Sequence, residues 1–295
     1  MADDGVTIER PSFGARLRTA MEAHGPLCVG IDPHPGLFDQ WDLPHTPEGL
    51  ERFTMSCVEA FAGTVAAVKP QSAFYEQFGS AGTAVLEKAL AALREAGTLT
   101  VLDAKRGDIG STMAAYAVAY LSDHAPLRAD AVTLSPYLGY GSLRPAIDTA
   151  LGTGRGVFVL ALTSNPEGAS VQHAGGPGAS VAGGIVNAVR DDNRKAARKG
   201  QLGSVGMVVG ATTGSAVEHL QLDLASANAP LLAPGIGAQG GTADDLRRVF
   251  GSALPHVLAT SSREVLAAGP DVSALRSKAL ETAEGLREVL GQTGG

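Results

Sequence analysis

Eight short apolar runs, each followed by a longer stretch of helical character, constrain the fold of this chain more than any other feature. The runs are Leu27–Asp32, Ala66–Pro70, Leu99–Lys105, Ala131–Ser135, Gly156–Thr163, Ser204–Ala211, Leu231–Gly235 and Val257–Ser261. Strands that alternate with helices pair in parallel. Eight such units favour a closed barrel, whereas five to seven would favour an open, doubly wound sheet. The sequence therefore predicts an α/β protein built as a (β/α)8 barrel.

Two further helical patterns flank these units. Ser12 is a typical N-cap for a helix over Phe13–His24, before the first strand. A last helix is predicted over Val272–Leu290. No linker or shift in composition divides the 295 residues. We therefore expect one barrel domain over residues 1–295, with an extra N-terminal helix, a C-terminal helix and a flexible segment at residues 1–11.

Composition argues against several classes of partner. The net charge is −7 and no Lys/Arg run forms a basic face, so nucleic acid is not an expected partner. No apolar run approaches the length of a membrane span. Met1–Glu9 is acidic and polar, unlike a signal peptide. Cys28 and Cys57 form no C-x-x-C pair, so both thiols should be reduced. We expect a cytoplasmic protein with no membrane partner.

Polar residues stand at six of the eight predicted strand ends, which is where (β/α)8 barrels place their active sites. One such residue would mean little, but six strand ends together suggest an assembled site. The clearest of them are Asp32, Lys69, Asp103, Lys105, Ser164, Asn165, Ser262 and Arg263.

The third strand ends in the motif Asp103-Ala-Lys105-Arg-Gly-Asp108. Asp103 and Lys105 are two apart on a strand and therefore share a face, with Val101 one step earlier inside the barrel. A lysine among carboxylates is costly to bury and seldom serves stability alone. The functional interpretation is an ammonium group held charged, ready to protonate a carbanion. The structural alternative is a solvated ion-pair network at the barrel rim.

The segment Pro234–Gly241 follows the seventh strand and contains G-x-G-x-x-G. A dinucleotide-binding fold places that pattern after its first strand, so we discount a dinucleotide. Barrels often bind phosphate with the loops after strands seven and eight. Here Gln239 and Arg263 would add donors, although a plain glycine turn and a surface arginine remain the alternative. No H-E-x-x-H or Cys/His cluster occurs, so we expect no metal and no cofactor.

Two loop segments also carry a prediction. Asn165–Gly178, rich in glycine and proline, is the longest irregular stretch and is predicted to be a lid or binding loop, with surface disorder as the alternative. His34 lies between Pro33 and Pro35, which indicates a fixed loop.

Taken together, these motifs resemble the orotidine 5′-phosphate decarboxylase family, in its longer bacterial (type 2) branch. The resemblance spans nearly the whole chain. The motifs that carry it are Leu27-Cys-Val-Gly-Ile-Asp32-Pro-His-Pro35, Val68-Lys-Pro-Gln71, Leu102-Asp-Ala-Lys-Arg-Gly-Asp-Ile109, Leu162-Thr-Ser-Asn-Pro166, Pro234–Gly241 and Ser261-Ser-Arg263. It implies cofactor-free decarboxylation of orotidine 5′-phosphate to UMP, the last step of de novo pyrimidine nucleotide synthesis. The C6 carbanion would be stabilised and protonated by Lys105.

The same resemblance implies roles for individual residues. Asp32 should bind a ribose hydroxyl, and Lys69 should bridge the ribose and Asp103. Asp103, Lys105 and Asp108 should form a charged array at the scissile carboxylate. The other implied substrate contacts are Ser164 at the pyrimidine, Gln239 and Arg263 at the phosphate, and Asn165, Pro234, Gly240 and Ser262. Asp108, Ile109 and Thr112 should reach the site of a second subunit, which implies a homodimer with shared active sites.

Two other functions stay open. A magnesium-dependent sugar-phosphate decarboxylase of the same superfamily would place an acidic metal ligand at the end of strand two, where this chain has Lys69. A non-catalytic receptor for a nucleotide or sugar phosphate would use Gln239 and Arg263 but would have no use for Lys105.

Overall fold

Eight parallel strands close into a barrel in the computed structural model of the chain, which describes residues 10–235 and 243–291. Each strand pairs with the next one along the chain, and the last pairs with the first. The strands are β1 Leu27–Ile31, β2 Ala67–Pro70, β3 Leu99–Arg106, β4 Ala131–Leu134, β5 Gly156–Leu162, β6 Val205–Val209, β7 Leu231–Ala233 and β8 Val257–Ser261. The predicted (β/α)8 barrel is confirmed, and every strand bound agrees with its prediction within two residues.

Helices follow the strands and cover the outside of the barrel. They are α1 Phe13–His24, α2 Pro35–Gln40, α3 Pro47–Phe61, α4 Ala73–Glu76, α5 Gly79–Glu95, α6 Gly110–Leu121, α7 Arg144–Gly152, α8 Ala169–Gln172, α9 Val181–Ala197, α10 Ala216–His219, α11 Ala243–Phe250, α12 Arg263–Leu266 and α13 Val272–Val289. Short 3-10 helices span Tyr140–Leu143, Pro166–Gly168 and Gly251–His256. Within the described residues no helix is both long and apolar enough to cross a membrane.

The extra N-terminal helix α1 begins where the sequence predicts it. The Ser12 Oγ accepts a hydrogen bond from the Ala15 N–H at 3.3 Å, which satisfies one of the free donors of the first turn. Phe13 is fully buried, and its ring meets that of Phe158 edge-on at 5.9 Å. Because Phe13 also lies against Gly156, the first residue of β5, α1 covers the amino end of the barrel.

Strand alternation divides the apolar core into two layers. In β5, Val157 and Val159 face the layer between strands and helices, while Phe158 faces the barrel interior. Val101 lies in the interior layer, as predicted. This filling makes the barrel a packed core rather than a channel through the molecule.

Two sequence predictions concern irregular segments. Asn165–Gly178 contains a 3-10 turn and α8, and the Gln172 side chain accepts from Thr163 N at 2.9 Å and donates to Thr163 Oγ1 at 2.7 Å. Its predicted function as a lid or binding loop stays a prediction. Of the segment 1–11, residues 1–9 lie outside the described residues, and the Arg10 guanidinium donates to Asp130 at 3.2 Å.

Candidate active site

A pocket of about 260 Å³ opens at the carboxyl ends of the strands. Seven of the residues predicted from the sequence line it: Asp32, Lys69, Asp103, Lys105, Pro234, Ser262 and Arg263. The barrel topology brings these residues together from the ends of five strands, as expected for parallel strands whose carboxyl ends meet at one rim.

An alternating array of charges forms the floor of this pocket. Lys69 Nζ donates to Asp103 Oδ2 at 3.1 Å and lies 3.8 Å from Asp32 Oδ1. Lys105 Nζ donates to the other carboxylate oxygen, Asp103 Oδ1, at 2.7 Å. Lys69 and Asp103 are buried, whereas 46% of the Lys105 side chain is exposed. The alternative of a solvated rim network therefore does not describe the Lys69–Asp103 pair, and Lys105 is the more exposed of the two ammonium groups that line the pocket.

Electrostatics keep this array charged. Burial favours the neutral form of Asp103, but Lys69 and Lys105, together with hydrogen bonds from Lys105 and Thr133, outweigh it and lower its pKa to about 2. Burial also opposes the charge on Lys69, yet Asp32 and Asp103 raise the pKa of this ammonium group above its usual value. At neutral pH the buried Lys69–Asp103 pair is thus an ammonium group beside an ionised carboxylate.

Asp32 has spare hydrogen-bonding capacity. Its Oδ1 atom is buried and accepts no hydrogen bond from any residue within 10–235 or 243–291. A buried carboxylate oxygen without a donor is costly, so it is well suited to accept a hydrogen bond from a hydroxyl group of a ligand that enters the pocket.

Lys105 reaches the pocket through an irregular backbone. Its φ is +46°, in the left-handed region that side chains other than glycine seldom adopt, and the pairing of β3 with β4 shifts between Leu102 and Arg106. Such a conformation costs about 1–3 kcal/mol and is concentrated at functional sites. Sequence reasoning correctly predicted that Asp103 and Lys105 meet. The alternation given as the reason is also seen, because Leu102 and Ala104 lie in the outer apolar layer while Asp103 and Lys105 line the pocket. The shift in pairing register with β4 was not predicted.

Thr133, on β4, forms hydrogen bonds with both Lys105 and Asp103. The Lys105 N–H donates to Thr133 Oγ1 at 2.9 Å, and the Thr133 hydroxyl donates to Asp103 Oδ1 at 2.8 Å. Sequence reasoning missed Thr133. A hydroxyl in an otherwise apolar strand was the available signal, but its partners depend on the neighbouring strand.

Other lining residues also escaped prediction. Leu160, Val208 and Leu232 form an apolar wall, against which a planar ring could pack. The remaining polar groups are Gln71, Thr163 and Thr260. They follow or interrupt predicted strands, and only the closed barrel shows that they face one cavity.

The mouth of the pocket lies between β1 and β8. Gly30 is needed there, because a Cβ atom at this position would collide with Ser262 Oγ. His34, placed by the sequence in a fixed loop, lines the pocket, and its ring packs edge-on against Phe74 at 4.3 Å. Burial and the positive charge of Arg263 lower the pKa of His34, opposed by Asp32.

Some predicted residues do not line the pocket of this single chain. Asp108, Ile109 and Thr112 lie past the end of β3, and the Asp108 carboxylate accepts from the Ile109 N–H at 2.8 Å. Ser164 and Asn165 are exposed, and Asn165 accepts from Thr163 Oγ1 at 2.6 Å. Gln239 and Gly240 lie outside the described residues. The roles predicted for all of these residues stay predictions.

In the described part of the chain, no three His, Cys, Asp or Glu side chains are grouped so that they could hold a metal ion. Lys69, and not an acidic residue, faces the pocket from β2, one position before the strand ends at Pro70.

Fold and pocket together define a (β/α)8-barrel enzyme whose site combines ammonium groups with ionised carboxylates. Residues 25–277 match the OMPdecase family, described as the orotidine 5′-phosphate decarboxylase / HUMPS family. The chain belongs to this family, and the resemblance drawn from its motifs is confirmed.

Similar proteins cover nearly the whole chain. The orotidine 5′-phosphate decarboxylase of Salinispora arenicola is 61% identical over 91% of this chain and 94% of its own length. That of Streptomyces coelicolor is 58% identical over 90% and 94%. A crystal structure from Streptomyces avermitilis, 53% identical, superposes with a TM-score of 0.90 over 99% of both chains. The OMP decarboxylase of Leishmania donovani, 30% identical, gives 0.72 over 95% of this chain and 99% of its own.

Proposed function

We infer that this chain is an enzyme that decarboxylates orotidine 5′-phosphate to UMP. The observation that carries this conclusion is the half-exposed Lys105 ammonium group, bonded at 2.7 Å to an ionised, buried Asp103. A receptor for a phosphorylated ligand has no need for such a pair, whereas a reaction that generates a carbanion needs a cation and a proton donor at that position.

The proposed mechanism uses these groups directly. Departure of CO2 leaves an electron pair on C6 of the pyrimidine, which water stabilises poorly. The Lys105 ammonium group stabilises the developing negative charge and then transfers a proton to C6. Asp103 keeps Lys105 in place through its hydrogen bond, and its negative charge close to the scissile carboxylate disfavours the bound substrate relative to the product.

The rest of the pocket would hold the nucleotide. Asp32 has a buried oxygen free to accept a hydrogen bond from a ribose hydroxyl, and Lys69 lies within reach of both Asp32 and Asp103. Arg263 lines the mouth and forms no ion pair within the described ranges, so it can take the phosphate as a bidentate donor. The further contacts proposed from the resemblance are Ser164, Asn165, Pro234, Gln239, Gly240 and Ser262.

We propose a homodimer in which each pocket is completed by the partner's Asp108, Ile109 and Thr112. Support comes from their position outside the pocket of their own chain and from an apolar surface beside them. Ile109 is 62% exposed, and Val118 on α6 is 61% exposed. Tyr137 and Leu138 are also exposed, and they precede a 3-10 helix that packs on α6. Large apolar side chains left exposed in this way are expected where a partner subunit covers them.

The proposal also covers the domain organisation and the cellular location of the enzyme. Residues 1–295 would form one domain, because α1 packs into the barrel and α13 packs on α3 and β1. The enzyme would work in the cytoplasm, where its two unpaired, buried cysteines would stay reduced.

The direct test is to add orotidine 5′-phosphate to purified protein and follow the loss of its ultraviolet absorbance. We expect turnover that survives exhaustive treatment with EDTA, since Lys105 and Asp103 supply the chemistry. Turnover that EDTA abolishes and Mg²⁺ restores would instead favour the sugar-phosphate decarboxylase. Tight binding of the nucleotide without turnover would favour the receptor.

A further inference from the structure

Arg106, the residue after Lys105, makes an unusually complete set of contacts without lining the pocket. Its Nη2 is paired with the Glu76 carboxylate at the end of α4. Its Nη1 donates to the Ala104 carbonyl at 3.2 Å, and its Nε donates to the Tyr120 hydroxyl of α6 at 3.4 Å. All three guanidinium nitrogens are therefore used, in three directions.

The partner of Arg106 is tied back to the catalytic strand. Glu76 Oε1 also accepts from the Ser72 hydroxyl at 2.5 Å, and the Ser72 N–H donates to the Asp103 carbonyl at 3.2 Å. A chain of contacts thus runs from Arg106 through Glu76 and Ser72 to Asp103. It brackets both ends of the segment that carries the charged array.

These contacts fix one peptide plane in particular. The carbonyl of the Ala104–Lys105 peptide accepts from Arg106, and its N–H, which belongs to Lys105, donates to Thr133 Oγ1. Because φ of Lys105 is the rotation between this plane and its own Cα–C bond, holding both ends of the plane restricts that angle. The angle that is held is the left-handed +46°.

We propose that Arg106 is a positioning residue which, together with Glu76, holds the Ala104–Lys105 peptide and so aims Lys105 Nζ at Asp103 and the pocket. The proposal rests on the proposed function only in that Lys105 is the proton donor. Lysine could not replace Arg106, since one ammonium group cannot serve the Glu76 carboxylate, the Ala104 carbonyl and the Tyr120 hydroxyl along the directions of a planar fork.

The test compares Arg106→Lys and Glu76→Gln with a control, Lys88→Met. The control also removes an ion pair between two elements, that of Lys88 on α5 with Glu51 on α3, but neither of these residues lines the pocket. Because a misplacement of about 1 Å can cost about 100-fold in rate, we expect kcat to fall about 10- to 100-fold in both variants. The Kd for UMP should change less than threefold, and the control should keep the wild-type kcat.

A purely structural role would give a different pattern. In that case Tm, UMP affinity and kcat would fall together, or kcat would stay within about threefold of wild type in folded variants; either result overturns the proposal. The double variant should be no slower than the slower single variant if the two side chains act as one unit. A crystal structure of Glu76→Gln, the milder change, gives a second measurement, since Lys105 should leave the left-handed region.

An assay of the wild-type protein alongside the variants distinguishes failure of the proposed function from failure of the positioning role. Absence of turnover by wild type overturns the proposed function and this proposal with it. Normal turnover by wild type and by both variants overturns only the positioning role of Arg106.

Discussion

Lys105 combines a half-exposed ammonium group with a left-handed backbone that other residues must hold in place. The sequence predicts the charged group, because a lysine between aspartates at the end of an apolar strand is costly to bury and is seldom kept without a functional role. The sequence does not predict the left-handed backbone of Lys105, because this conformation depends on contacts with Thr133 of the next strand and with Arg106. This difference explains why sequence reasoning found the charged residues of the site and missed the ones that place them.

Replacing Lys105 with alanine should abolish nearly all turnover. Loss of both the proton donor and the cation should lower kcat at least about 1000-fold, the range of general-acid and electrostatic contributions. UMP has no carboxylate at C6, so its Kd should change less than about tenfold. Steady-state kinetics and calorimetry with UMP measure both quantities. Substantial turnover in a folded Lys105→Ala protein would exclude Lys105 as the proton donor.

His34 offers a test of the electrostatics at the pocket mouth. Burial and Arg263 lower its pKa, and Asp32 raises it. Arg263→Ala removes one of the two lowering influences, so the pKa of His34 should rise. Titration of the histidine ring protons by NMR measures this change, with His34→Asn used to assign the signal.

His256 is the internal control for that titration. Its pKa is lowered by burial and by Arg18, at the other end of the barrel, so it should not respond to Arg263→Ala. An unchanged or lower pKa of His34 in this variant would mean that Arg263 does not face His34 in solution.

At the level of elements, the apolar runs predicted every strand and the N-cap predicted the start of α1. Runs that are buried on both faces are nearly continuous in apolar residues, so their ends are marked by the first polar residue. The register shift between β3 and β4 could not be predicted in this way, since it arises from the pairing of two strands. The same limit applies to Gln71, whose position in the pocket depends on its bridge to Asp103.

Helix α1 should contribute to the stability of the barrel and not to catalysis. Phe13 is fully buried at the amino end, opposite the pocket, so Phe13→Ala should cost about 3–5 kcal/mol of unfolding free energy. The kcat per folded molecule should be unchanged, because amino-end residues of barrels contribute to stability. Urea unfolding and active-site titration measure these quantities.

Leu280→Ala on α13 is the matched control for that prediction. Leu280 is 48% exposed, so its truncation should change the free energy of unfolding by about 0.5 kcal/mol or less. A Phe13→Ala protein as stable as this control would show that α1 is not needed to close the barrel.

At the scale of the whole molecule, the net charge of −7 opposes an anionic substrate. The pocket reverses this locally, because Lys69, Lys105 and Arg263 outnumber Asp32 and Asp103 among its lining residues. Attraction of the substrate is therefore a short-range property of the site. Counting strands predicted closure of the barrel, whereas no pattern in the sequence predicted an assembly. The prediction of a dimer came from the family resemblance alone, and the exposed apolar side chains on and near α6 support it.

Shared active sites can be tested by mixing two inactive variants, Lys105→Ala and Asp108→Ala. In a mixed dimer, one pocket receives both substitutions, and the other receives an intact Lys105 from one chain and an intact Asp108 from its partner. Random exchange at equal amounts makes about half of the dimers mixed, and with two sites per dimer this should restore about one quarter of the wild-type activity.

Two controls make this complementation decisive. Light scattering must show that each variant alone is a dimer, and tagged subunits must show that exchange has occurred. Two copies of Lys105→Ala carrying different tags should then exchange without any gain in activity, since no pocket regains its lysine. If the Lys105→Ala and Asp108→Ala subunits exchange and activity does not rise, Asp108 acts within its own chain or takes no part in the reaction. A shared site would have given each mixed dimer one pocket with both residues intact.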